Sequence, residues 1–111
     1  MRHRLAPMST HLRLAYGPRE LIVTLPEGEA AWPASDARRW LDEQFTANDC
    51  EPLRAMGKVL TADKVVAIAM AIGPAGFEQD ESLRLNFARA TCAALGRSEV
   101  RVDVDAQKVT F

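Results

Sequence analysis

The amino-acid sequence predicts an α+β fold of the ferredoxin-like type, a split β-α-β sandwich with two helices on one face of an antiparallel sheet. Three observations lead to this prediction: apolar residues that alternate with period two near both ends, two amphipathic helical segments, and a charge-free run in the middle. Extra strands are expected at both ends of the basic pattern. Because the helices cover only one face of such a sheet, the other face is expected to be open.

The length and composition fit a single domain. The chain has 111 residues, 48% of them hydrophobic, which is sufficient for a core without disulfides or metals. We predict a flexible N-terminal arm over residues 1–10 and one α+β domain over residues 11–111. The arm is basic but lacks the apolar stretch of a signal peptide. No window of about 18 apolar residues predicts a membrane span, so the simplest expected location is the cytoplasm.

A β-hairpin is predicted at the start of the domain. Apolar and polar residues alternate over residues 11–16 and again over residues 20–25, on either side of the turn signal Gly17-Pro18. In the first strand His11 and Arg13 fall on the side opposite the large apolar residues. We therefore expect these two side chains to face outward.

Two helices are predicted from their apolar stripes and their end signals. The first is expected over residues 36–47, with Ser35 as its N-cap. The second begins after Asp80, a good N-cap, and ends at Gly96, which suits the left-handed position after a helix.

Two further strands are predicted after the second helix. Residues 99–105 alternate strictly, with three valines on one side and Arg101 and Asp103 on the other. Ala106 and Gln107 are expected to turn the chain into a short last strand.

The charge-free run VVAIAMAI at residues 65–72 can be interpreted as a helix or as a strand. Thr61 would suit the start of a helix, and Gly73-Pro74 would suit its end. Lys64 opposes a helix, because its positive charge would lie near the positive end of the helix dipole. Larger and smaller side chains alternate along the run, and four of them are β-branched, so the strand interpretation is favoured. With that choice, residues 55–60 are expected to form the strand before it.

A central strand at this position would create a candidate site on the open face. The alanines of the run would form the floor of a shallow trough, between strands that carry arginines. The candidate ligand or partner face comprises His11, Arg13, Ala67, Ala69, Ala71, Arg101 and Asp103.

No catalytic, cofactor or metal motif accompanies this face. Cys50 and Cys92 lack the close spacing of a metal-binding pair, and the acidic neighbours of Cys50 would raise the pKa of its thiol. Nucleic-acid binding is not favoured, because the net charge is −1 and aromatic residues make up 6% of the chain.

Two functional hypotheses remain from the sequence. The first is a non-catalytic assembly or binding protein that forms a homodimer or binds a partner through the open face. The alternative is a small enzyme or ligand-binding protein for a compact anion, held by Arg13 and Arg101, with His11 or Asp103 as the proton-transfer group. The first is favoured because the sequence offers no activated nucleophile.

Overall fold

The computed structural model describes residues 10–26, 32–48 and 62–111, and the structural statements below concern these residues. This part of the chain has an α+β fold with a four-stranded mixed sheet and three helices. The elements, in chain order, are β1 (Thr10–Tyr16), β2 (Arg19–Leu25), α1 (Ala34–Ala47), α2 (Ala62–Gln79), α3 (Glu81–Leu95), β3 (Glu99–Asp103) and β4 (Lys108–Thr110). The predicted arm over residues 1–10 lies outside the described residues, apart from Thr10.

The sheet has the strand order β2-β1-β3-β4. Its two outer pairs, β1 with β2 and β3 with β4, are antiparallel, whereas the central pair of β1 and β3 is parallel. The prediction of an antiparallel sheet is therefore wrong at the centre. A parallel pair needs a long crossover connection, and the chain between β2 and β3 contains all three described helices.

The predicted hairpin is confirmed, with β1 one residue longer than expected and β2 starting at Arg19. Its alternation buries Leu12 and Leu14 completely on the side of the sheet that faces the helices. Gly17 in the turn has a φ of +61°, and a Cβ at this position would lie 2.9 Å from Oδ2 of Asp105. The backbone conformation therefore favours glycine, whereas the exposed Asp105 side chain can rotate away from a Cβ.

The two helices predicted from their apolar stripes are also confirmed. Helix α1 begins at Ala34, so Ser35 lies inside its first turn, and the N-cap is Pro33 rather than the predicted Ser35. Helix α3 has the expected ends. Oδ1 of Asp80 accepts a hydrogen bond from the Leu83 amide at 3.0 Å, and Gly96 adopts a left-handed conformation.

The prediction of a strand at residues 65–72 is wrong, because the whole run lies within α2. The side chains of Val65, Ile68 and Ala69 are buried, and Ile72 packs against the same core. Their spacing is that of one helical face, and this face packs against α1, α3 and the β3–β4 side of the sheet. The run therefore satisfies a helical period as well as the period of two that favoured a strand.

Lys64, which argued against a helix, is accommodated by a contact from another element. Its side chain is only 3% exposed, with Nζ 3.5 Å from Oδ1 of Asp42 and 5.5 Å from the ring centroid of Phe45. Both of these residues belong to α1. The carboxylate and the aromatic ring compensate the charge that would otherwise oppose the helix dipole.

The ferredoxin-like element order is not confirmed. It required a strand at residues 65–72, where the structure has a helix, and a second strand at residues 55–60, which lie outside the described residues. The helices α2 and α3 nevertheless lie on one face of the sheet, with α3 over β1 and β2.

Helix α2 contains a sharp bend at Gly73. This is the position that the sequence suggested as a helix end. The backbone of Gly73 has a φ of 75° and a ψ of 163°, and Pro74 starts the next helical turn. Only glycine adopts this conformation without strain. After the bend the chain returns to the core, where Phe77 is fully buried.

Gly73→Ala is expected to lower the free energy of unfolding by about 1–3 kcal/mol, the usual cost of holding a side chain in this backbone region. A Cβ at Gly73 would meet no atom within 4 Å, so the cost would come from the backbone conformation and not from crowding. Urea unfolding measures this change in the free energy of unfolding, and Pro74→Ala is the control variant. A Gly73→Ala variant as stable as the parent would contradict the bend.

Candidate functional site

The side of the sheet opposite the helices carries no helix in the described part of the chain, and we call it the open sheet face. It consists of the side chains that alternate with the buried ones on all four strands. Its members are His11, Arg13, Glu20, Ile22, Thr24, Glu99, Arg101, Asp103, Lys108 and Thr110. Ala15 lies on the same side of β1 but is buried.

Arg13 and Arg101 lie side by side at the centre of the open sheet face. They are register partners in the parallel pair of β1 and β3, and both side chains are exposed. A cavity of about 390 Å³ lies over them, and its lining also includes His11, Ile22 and Phe111. The structure therefore brings together the two arginines that the sequence analysis selected.

The charges on the open sheet face balance one another. Three basic side chains (Arg13, Arg101 and Lys108) stand among three acidic ones (Glu20, Glu99 and Asp103). Arg101 forms an ion pair with Glu20 of β2, with 3.8 Å between Nη2 and Oε2. The face is therefore mixed in charge and has no large basic field.

His11 and Asp103 lie at opposite ends of the open sheet face. His11 is the register partner of Glu99, four residues before Asp103 on β3, which corresponds to about 13 Å along the strand. Nδ1 of His11 is 3.0 Å from Oγ1 of Thr24, and Oδ1 of Asp103 accepts the Ala106 amide at 3.1 Å. These two groups therefore cannot act together on one compact substrate.

The three alanines of the predicted site do not lie on the open sheet face, because they belong to α2 on the other side of the sheet. Ala69 is fully buried, and its carbonyl oxygen accepts a hydrogen bond of 2.7 Å from the Tyr16 hydroxyl. Ala67 is partly buried, and Ala71 is exposed on the helix surface. The predicted alanine-floored trough between two arginine-bearing strands is therefore not formed.

Two exposed apolar residues that line the cavity over the open sheet face were missed by the sequence analysis. Ile22 is 57% exposed on β2, and Phe111, just after β4, is 66% exposed. Ile22 could have been found, because it is a large apolar residue at an outward position of the alternation in the hairpin. The guanidinium carbon of Arg97 lies 4.7 Å from the centroid of the Phe111 ring, in a cation–π contact.

The buried titratable groups lie on the helix side of the sheet and are poor reactants. Burial raises the pKa of Cys92 to about 12, and its thiol donates a 3.8 Å hydrogen bond to the carbonyl oxygen of His11. Burial also raises the pKa of Tyr16 above its usual range. At neutral pH both groups are protonated, so neither is an activated nucleophile. Cys50 lies outside the described residues.

The described residues hold no group of three His, Cys, Asp or Glu side chains that could bind a metal ion. Nor does any described helix have the length and apolar character needed to cross a membrane. The chain matches no protein-family model, no curated protein and no solved structure.

Proposed function

We propose that this protein is a non-catalytic binding protein that forms a homodimer through its open sheet face. One observation carries the proposal. Among the described residues three large apolar side chains are strongly exposed, and two of them, Ile22 and Phe111, border the cavity on this face. Large exposed apolar side chains that share one surface with polar residues are typical of protein interfaces.

The charge pattern supports a second copy of the same chain as the partner. A two-fold interface places the same surface on both sides, so each charge must find its opposite on an identical face. The open sheet face meets this requirement because it carries equal numbers of acidic and basic residues, with Glu20 and Glu99 on either side of the two central arginines. A partner of one strong charge would instead meet like charges over half of the face.

The proposal expects the protein to have a mass near twice the 12.2 kDa of one chain at micromolar concentration, measured by light scattering after size exclusion. Ile22→Asp should convert the dimer into a monomer that keeps its circular dichroism, because dimerisation would bury the introduced charge without a partner. Met70→Asp is the matched control. Met70 is 50% exposed on α2, away from the open sheet face, so this change should leave the dimer intact.

Two results would overturn the proposal. A parent protein with the mass of one chain would exclude a stable dimer. Dissociation by Met70→Asp but not by Ile22→Asp would place the contact on α2 instead.

A second candidate function is the binding of a compact anion without assembly. It is favoured by Arg13 and Arg101, which are register partners and both line the cavity, since guanidinium groups suit carboxylate or phosphate. If the protein is a monomer, a rise in melting temperature with inorganic phosphate that is lost in Arg101→Ala would support this candidate. The contact between Arg101 and Glu20 weighs against it, because a carboxylate already neutralises one guanidinium.

A further inference from the structure

A second cavity lies at the start of α1, away from the open sheet face. It has a volume of about 290 Å³, and we call it the tryptophan pocket. Its lining residues are Trp32, Pro33, Asp36, Arg39, Trp40 and Glu43. The proposed dimer interface does not use any of these residues.

The two indole rings form a corner in this pocket. Their centroids are 6.3 Å apart and their planes meet at 71°, an edge-to-face arrangement that is favourable for aromatic pairs. Both side chains are only partly buried, so parts of the rings remain accessible to a ligand. Because an indole face carries negative electrostatic potential, an aromatic corner of this kind attracts cations.

The protein itself uses one of these rings in this way. The guanidinium carbon of Arg89 on α3 lies 5.7 Å from the ring centroid of Trp32. This contact covers part of the Trp32 ring on the side that faces α3. Trp40 has no corresponding cation among the described residues.

The three charged residues that line the pocket carry a net charge of −1, and the guanidinium of Arg89 approaches Trp32 from the side of α3. Asp36 and Arg39 neutralise each other through an ion pair in which Nη2 is 2.8 Å from Oδ1. Glu43, one helical turn beyond Arg39, forms no ion pair with any residue in the described ranges. Its carboxylate therefore remains available for a cationic group beside the two indoles.

We propose that the tryptophan pocket binds an organic cation through a methylated ammonium group. A methylated nitrogen carries its charge with little hydration, whereas a primary ammonium is strongly hydrated and loses more when it leaves water. The cavity is at the small end of the range of ligand sites, roughly 300–1,000 Å³, and so fits a head group and not a large molecule. Glu43 supplies the opposite charge.

Intrinsic fluorescence tests this proposal directly, because both tryptophans of the chain lie in the pocket. Choline should change the tryptophan emission in a saturable way. The matched control ligand is 3,3-dimethyl-1-butanol, which has the same shape with a neutral carbon in place of the nitrogen. It should bind about tenfold more weakly or worse, since tenfold corresponds to a cation–π and charge contribution of about 1.4 kcal/mol.

Two variants test whether choline binds in the tryptophan pocket. Glu43→Gln should weaken choline binding about two- to fivefold, the loss expected on removing one opposite charge near a surface. Glu20→Gln, a matched change on the open sheet face, should leave the titration unchanged. No saturable change with choline, equal binding of the neutral alcohol, or an unchanged titration in Glu43→Gln would each overturn the proposal. These readouts are independent of the mass of the protein, so the proposed dimer can fail without affecting them.

Discussion

Ala69→Lys is expected to prevent folding, whereas Met70→Lys is expected to leave the fold intact. Ala69 is fully buried on the side of α2 that packs against the core, and it is surrounded by apolar side chains. A lysine there would bury a charge without a partner and would overfill a packed region. Either effect costs several kcal/mol, which is a large part of the about 5–15 kcal/mol that stabilises a domain.

Met70 is the next residue along α2 but points toward solvent, with half of its surface exposed. A lysine at this position keeps its ammonium in water, so the change in stability should stay within about 0.5 kcal/mol. Soluble yield, far-ultraviolet circular dichroism and thermal melting distinguish the two variants. Ala71→Lys is a further control, because Ala71 is exposed on the same helix and should behave as Met70 does.

The same pair of variants decides between a helix and a strand at residues 65–72. A central strand with Met70 toward the helices would tolerate Ala69→Lys and not Met70→Lys, the reverse of the present expectation. A folded Ala69→Lys variant together with an unfolded Met70→Lys variant would therefore refute α2.

Phe87→Ala is expected to lower the free energy of unfolding by about 3–5 kcal/mol, the usual loss for a large aromatic side chain removed from a core. Phe87 on α3 has no exposed surface, and its ring centroid lies 5.1 Å from that of Phe77. This contact joins α3 to the segment of α2 that follows the bend. The variant would lose both the buried area and the aromatic pair, and the cavity left between two helices could close only partly.

Chemical denaturation with urea measures this loss, and Phe111→Ala serves as the control. Phe111 is mostly exposed and contacts the Arg97 guanidinium, so its removal should change stability by no more than about 0.5 kcal/mol. Both variants should be measured at a concentration where assembly does not contribute. Equal losses in the two variants would contradict the described core.

The sequence predicted the elements whose signals are local. The hairpin follows from alternation around Gly17-Pro18, and α3 follows from an apolar stripe between Asp80 and Gly96. Helix α2 was missed because the group that accommodates Lys64 is Asp42, which belongs to another helix. No pattern within residues 62–79 could reveal that partner.

The candidate site could likewise be predicted only where its signals are local. Alternation alone placed Arg13 and Arg101 outward on their strands, and the structure brings them side by side. The parallel pairing that joins them depends on strand order, which is a property of the whole chain. The alanines of the run were assigned to the wrong side of the sheet, because their placement depended on the incorrect strand.

The parallel pair at the centre of the sheet has a consequence for the way this chain reaches its native state. β1 is among the first described segments to be synthesised, but the strand that completes its inner edge, β3, follows all three helices. Contacts between residues so distant in sequence make folding slow, because a long loop must close before they form. During synthesis on the ribosome, the edge of β1 in the β1–β2 hairpin therefore stays unpaired until β3 emerges. An unpaired edge of this kind favours aggregation and chaperone binding.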